Sequence, residues 1–302
     1  MRGHLLHWLV VNIRTVGVVG CGLMGSGIAE VCARAGYQTI VREIDDTLLA
    51  KGRQRIEKSL ATAVERGKLP AAERDTALGR LSGTTHMQDF ASCQLVIEAA
   101  TENPEIKKRT FAELDEVCPP ETILASNTSS IPIIQMATAT KRPDKVLGMH
   151  FMNPVPVMRL IEYVRTLTTS DDTLDTARAF GESLGKRIIV SKDRAGFIVN
   201  FLLIPYLTEA VRMLEQGFAS REDIDVGMML GTSYPMGPFT LLDYVGLDTT
   251  LYIADILFDE FKESRFAAPT LLRQMVAAGY LGRKTGRGFY DYSAGERPPT
   301  AH

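Results

Sequence analysis

The sequence predicts an α/β protein: a doubly wound, mostly parallel sheet followed by a smaller all-α domain. Three observations carry this. Up to about residue 190, short β-rich runs alternate with helical segments, the pattern of a parallel sheet covered on both faces. After residue 195 only helical periodicity remains. Between the first apolar run and the first helical one lies a glycine-rich turn, Gly20, Gly22 and Gly25. At 302 residues the chain suffices for two moderate cores, and the expected division is 1–192 and 193–302.

Residues 4–11, HLLHWLVV, are apolar but too short to span a bilayer. They run almost directly into VGVVG (16–20), so an extension of that strand or a loose tail is expected there. QTIV (38–41), QLVIEA (94–99), TILAS (122–126), KVLGMH (145–150) and RIIVS (187–191) read as further strands. Residues 157–163, VMRLIEY, alternate well enough to return beside KVLGMH. Segments 23–35, 46–67, 104–117 and 171–184 carry helical spacing between the strands. Beyond the boundary the helices expected are 196–216, 221–230, 238–245, 247–261 and 269–278, with a kink at Pro205. The tail 296–302 reads as frayed.

Composition narrows the function classes. Apolar residues make up 45% and charged residues 23%, as in ordinary soluble enzymes. A net charge of −2 argues against nucleic acid and anionic membranes as partners. Cys21, Cys32, Cys93 and Cys118 show no metal-ligand spacing, so reduced thiols, a cytoplasmic location and no metal are expected.

The turn VGVVGCGLMGSG follows an apolar strand and opens a helix. Gly20 permits the tight turn, Gly22 lets a pyrophosphate approach the backbone, and Gly25 lets helix and strand pack closely. The helix start, with Leu23 and Met24, presents N–H groups to phosphates. Glu43 ends the second strand eighteen residues past Gly25, where a carboxylate would hold the ribose hydroxyls of NAD and repel the 2′-phosphate of NADP. Arg42 beside it pulls the other way, because an arginine here can accept that phosphate.

Downstream come SNTSS (126–130), His150 and Glu162. Ligands of an open parallel sheet bind beyond the carboxyl ends of its strands, so Ser129 and His150 are expected on one rim. A neutral imidazole is a natural base for an alcohol proton, and a carboxylate on its other nitrogen fixes its tautomer. Each residue also has a plainer reading. His150 alone could be a packing residue, Ser129 and Ser130 could cap a helix near Pro132, and Glu162 could pair with Arg159 or Arg165.

Taken in order, GCGLMGSGIAEV, EAATEN, SNTSS, GMHFMNPVPVM, GFIVN, YPMGPFTLLDYVGLDT and GRKTGRGFYDY resemble the L-3-hydroxyacyl-CoA dehydrogenase family, most nearly its bacterial 3-hydroxybutyryl-CoA members. The resemblance implies a Rossmann-type domain, a helical domain that mediates homodimerisation, and NAD-dependent interconversion of 3-hydroxyacyl-CoA and 3-ketoacyl-CoA. It implies that His150 is the general base, Glu162 its orienting partner, and Ser129 and Asn200 the groups that hold the reacting oxygen. It adds Glu102, Lys107, Ser129, Asn153 and Lys284 to the cofactor contacts. For coenzyme A it points to Ser59, Arg66 and Lys68, on or just beyond a helix that also carries Lys51, Arg53, Arg55 and Lys58. Three positions depart from the family pattern: Ala195 precedes GFIVN where proline is usual, Phe201 follows it where an arginine is usual, and Glu43 ends the second strand where aspartate is more common. The rival classes are a dehydrogenase of free hydroxy or sugar acids and a non-catalytic, crystallin-like NAD-binding protein.

Overall fold

The computed structural model describes residues 12–300, so the apolar stretch 4–11 lies outside the described residues. Two compact units divide the chain, Met1–Arg194 and Ala195–His302.

In the first unit β1 (Thr15–Val19) is buried almost throughout, as a continuous apolar run at the centre of a parallel sheet should be. The chain continues through α1 (Leu23–Arg34), β2 (Gln38–Arg42), α2 (Asp46–Glu65), α3 (Ala71–Gly79) and β3 (Leu81–Thr84). After a 3₁₀ turn at Met87–Ser92 come β4 (Leu95–Glu98), α4 (Pro104–Val117), β5 (Ile123–Ser126) and the short α5 (Ile134–Ala137). The unit closes with β6 (Val146–Phe151), β7 (Leu160–Arg165), α6 (Asp171–Ser183) and β8 (Arg187–Lys192). Local chemistry sets several helix starts. Asp45 accepts the Leu48 N–H at 2.8 Å, Ser170 the Thr173 N–H at 3.2 Å, and Asn103, ahead of Pro104, those of Glu105 and Ile106 at 3.0 and 3.1 Å.

The eight strands lie in the order β3-β2-β1-β4-β5-β6-β7-β8. Every neighbouring pair is parallel except β6 with β7. From β1 the chain winds outward to β2 and β3; from β4 it winds outward the other way. The crevice between β1 and β4 is therefore the topological switch point, the place where doubly wound sheets take ligands. The core beneath it gathers Val16, Val18, Ile28, Leu95, Ile97, Leu147, Phe151 and Tyr163.

The second unit is helical: α7 (Val199–Glu215), α8 (Arg221–Thr232), α9 (Pro238–Val245), α10 (Leu247–Phe261) and α11 (Thr270–Ala277). Pro205 lies inside α7, which runs through it as one helix. Two buried carboxylates organise the unit. Asp225 accepts the N–H groups of Phe239 and Thr240, the Thr240 hydroxyl and the Tyr290 hydroxyl. Asp243 accepts the N–H groups of Phe289 and Tyr290 and the Tyr292 hydroxyl, which ties GRGFYDY down on α9. Phe201 packs in an aromatic cluster with Phe261 and Phe266, and the Arg265 guanidinium lies over its ring at 4.9 Å. The same guanidinium also lies over the Phe266 ring at 4.6 Å.

Three differences from the sequence reading stand out. β3 and α3 were not anticipated, because LSGT is a half-exposed edge strand with no apolar alternation. β7 begins at Leu160 rather than Val157, since residues 154–158 form a hydrogen-bonded turn first. Asp193 stays with the first unit: its carboxylate accepts the Ile133 and Ile134 N–H groups at 2.8 and 2.7 Å. Among the described residues no helix is long and apolar enough to cross a membrane, and all four cysteines are buried free thiols.

Candidate active site

The glycine turn closes at the carboxyl end of β1. Gly20 sits at φ +90°, and a Cβ there would meet the Ala99 carbonyl at 2.9 Å. A Cβ on Gly25 would fall 1.9 Å from the Gly20 carbonyl oxygen, so no side chain fits between turn and helix. A Cβ on Gly22 would meet nothing within 4 Å. That opening lies at the start of α1, which has no side-chain cap and no acid in its first turn. An uncapped, uncrowded helix start is the cradle a pyrophosphate requires, so these residues fit a dinucleotide. Leu23, Ile44 and Ile106 expose apolar side chains on the same rim.

Cys21, inside the turn, is gripped from two further elements. Its N–H donates to Glu43 Oε1 at 2.6 Å, and its carbonyl accepts from Arg55 of α2 at 3.1 Å. Burial, with Glu43 nearby, pushes its thiol up to about 11. Glu43 thus stands at the end of β2 as expected. The Arg42 Nε donates to the Thr85 carbonyl at 3.3 Å.

The serine loop emerges from β5 and is held by two carboxylates. Glu98, the last residue of β4, is fully buried. It accepts Lys107 Nζ at 2.7 and 2.8 Å, the Ala100 N–H at 2.8 Å and the Ser126 hydroxyl at 2.7 Å. Glu102 accepts the Thr128 hydroxyl at 2.5 Å, the Ser129 N–H at 2.9 Å and, at 3.4 Å, the Ser129 hydroxyl. Lys107 bridges the two, 3.2 Å from Glu102. Its ammonium is buried, so the residue joins the site from behind rather than at the surface. Helix α5 is capped by Asp193, not by Ser129 or Ser130.

His150 and Glu162 face each other directly in the antiparallel β6·β7 pair. The ring Nδ1 lies 3.0 Å from Glu162 Oε2; the carboxylate is fully buried and the histidine 7% exposed. Arg165, one of the two alternative partners for Glu162, pairs with Asp171. Asn127 Oδ1 accepts the Phe151 N–H at 2.9 Å, which ties the serine loop to the end of β6 beside His150. Asn153 lies exposed on the loop that follows.

The residues assigned to coenzyme A are partly turned to other tasks. Ser59 lies beside Glu30 of α1, a carboxyl that burial holds above its usual range and that Ser59 and Arg34 draw back down. Arg66 and Lys68 are exposed at the end of α2. Asn200 and Lys284 belong to the second unit. Asn200 is buried in the first turn of α7, and Lys284 forms an ion pair with Asp248 at 2.6 Å. Sequence reasoning passed over Glu98, Ser126 and Thr128. The available signal was an acid near the end of the apolar run QLVIEA; its register with Ser126 is a feature of the folded sheet.

Comparison with known proteins accords with this geometry. Residues 15–194 match the family model for the 3-hydroxyacyl-CoA dehydrogenase NAD binding domain, and residues 196–292 match the C-terminal domain of the same family. The chain is 54% identical over 282 residues to a 3-hydroxybutyryl-CoA dehydrogenase of Mycobacterium tuberculosis, covering 93% of this chain and 99% of the relative. The crystal structure of M. tuberculosis FadB2 superposes with a TM-score of 0.91 at 54% identity, covering 93% of this chain and 99% of that one. That of (S)-3-hydroxybutyryl-CoA dehydrogenase from Ralstonia eutropha superposes with a TM-score of 0.88 at 46% identity, covering 93% and 99%.

Proposed function

The chain belongs to the 3-hydroxyacyl-CoA dehydrogenase family, and from that premise we propose how its residues carry out the reaction. It is an NAD-dependent dehydrogenase that interconverts an (S)-3-hydroxyacyl-CoA and the 3-ketoacyl-CoA, with 3-hydroxybutyryl-CoA and acetoacetyl-CoA as the pair its relatives' names favour. NAD, when bound, supplies the acceptor for the hydride of carbon 3.

The observation that carries the mechanism is the buried cross-strand pair His150–Glu162. Glu162 holds Nδ1, so Nε2 is the nitrogen that exchanges a proton with substrate. In oxidation His150 removes the 3-hydroxyl proton; in reduction its imidazolium returns a proton to the keto oxygen. Glu162 keeps the ring oriented and stabilises the imidazolium in both directions. Ser129 donates to the reacting oxygen, and Asn200 keeps the role the resemblance gives it, a second donor to that oxygen. The turn Gly20–Gly25, with Leu23 and Met24, and Glu43 hold the dinucleotide. Arg66 and Lys68 supply positive charge for the coenzyme A phosphates.

The deciding experiment measures NADH consumption with acetoacetyl-CoA and, separately, with a free 3-keto acid. Turnover of the first, abolished by His150→Gln in a folded protein, is the expected result. Preference for the free acid would favour the hydroxy-acid class, and no turnover of either would favour a binding protein.

A homodimer through the helical unit and a cytoplasmic location complete the proposal. Exposed Leu202, Phe218 and Leu230 on that unit support the first; four buried reduced thiols support the second. Light scattering and cell fractionation test them.

A further inference from the structure

We infer that Glu98 is a positioning residue for the reaction. It acts through a buried carboxylate–ammonium–carboxylate bridge, Glu98–Lys107–Glu102, that sets the height and angle of Ser129. The inference rests on the reading that Ser129 touches the reacting oxygen.

Glu98 closes β4 in register with Val19 of β1 and Ser126 of β5, at the switch point of the sheet. A charge with no solvent exposure is normally avoided, yet here three donor groups make four hydrogen bonds to it. Two of those contacts fix Lys107, and a third fixes Ser126, whose Oγ in turn accepts the Thr128 N–H at 3.2 Å. Lys107 reaches onward to Glu102, and Glu102 takes the Thr128 hydroxyl and the Ser129 backbone. The loop 126–129 is therefore gripped at its root by one carboxylate and at its crest by another. A single ammonium keeps the two in mutual register. Neither Glu98 nor Lys107 belongs to the loop, so the hold comes from β4 and α4. Removing the Glu98 charge leaves Lys107 with one carboxylate instead of two, which draws it toward Glu102 and shifts Ser129. A buried network of this kind transmits such a loss through all of its members.

The test is a double-mutant cycle on acetoacetyl-CoA reduction, with kcat and KM measured separately. Glu98→Gln keeps the side-chain shape and removes the charge. It is expected to lower kcat about 10- to 100-fold, the scale of misplacing a reacting group, with KM values for both substrates within about threefold of wild type. Added to Ser129→Ala, it is expected to change kcat by no more than about twofold, because its effect passes through that serine. An unchanged kcat in Glu98→Gln overturns the inference. So does a full 10- to 100-fold loss in the Ser129→Ala background, which marks general damage. Should Glu98→Gln fail to fold, the same cycle is run with Ser126→Ala, which cuts only the root contact. About a tenfold kcat loss that vanishes in the Ser129→Ala background is then expected, and an additive loss or none refutes the idea. A Ser129→Ala single variant with wild-type kcat places the fault in the role given to Ser129.

Discussion

Replacing Glu162 by glutamine tests the acid–base pair with the least disturbance to shape. The glutamine oxygen can still accept from Nδ1 at the observed 3.0 Å, so tautomer and ring orientation persist. What disappears is the charge that meets the imidazolium. With charge centres roughly 4 Å apart and an effective dielectric of about 20, that attraction is worth about 4 kcal/mol. Allowing for the hydrogen bond that remains, we expect about 2–4 kcal/mol less stabilisation of the protonated ring, or about 30- to 1,000-fold in kcat. The assay is steady-state oxidation of 3-hydroxybutyryl-CoA followed by NADH absorbance, with circular dichroism to establish the fold. NADH affinity is expected to hold, since Glu162 is buried behind the histidine. A folded Glu162→Gln protein with kcat within about threefold of wild type would refute the reasoning, because no charged partner would then be needed.

Other expectations follow from single contacts. Gly25→Ala drives a methyl group into the Gly20 carbonyl, so NADH binding by titration calorimetry should weaken at least tenfold, by roughly the 1.4 kcal/mol that defines that factor; unchanged affinity contradicts the cradle. Burial holds the Glu30 carboxyl above its ordinary 4.5, against the hydrogen bonds from Ser59 and Arg34 and the charge of Lys186. A raised native value gives stability that is complete below the unfolded value and lost as pH rises through the native one. Glu30→Gln should therefore gain thermal stability relative to wild type as pH rises above the ordinary 4.5, and parallel melting curves on either side of that value would count against it. Asp225→Ala strands four buried donors and should cost about 3–5 kcal/mol in urea unfolding of the full chain; a loss under about 1 kcal/mol would mean the clamp is not structural.

Much of this was legible in the residues. The central strands announced themselves as apolar runs because both of their faces are buried, and the glycine spacing reflects distances a Cβ cannot satisfy. His150 and Glu162 could be paired in advance since β6 and β7 are neighbours in sequence as well as in space. What escaped depends on distance along the chain. The α5 cap comes from Asp193, about sixty residues downstream, so the serines nearby looked like the obvious caps. The Glu98–Lys107 pair joins a strand end to a helix across a loop, and nothing in a linear reading says that either residue is buried. β3 failed for the opposite reason. An edge strand with one neighbour needs no strong pattern.

The one antiparallel step in the sheet has a consequence of its own. Had β7 run parallel, a long crossover would have had to deliver Glu162 to the rim; reversing the strand brings it back within a short loop. The cost of that short route is that catalysis depends on strand registration. Side chains alternate faces along β7, so a slip of one residue would set Ile161 or Tyr163 opposite His150 and turn the carboxylate to the far side of the sheet. The segment 152–159 therefore acts as a ruler, and its length is as much a part of the proton-transfer apparatus as the two groups it aligns.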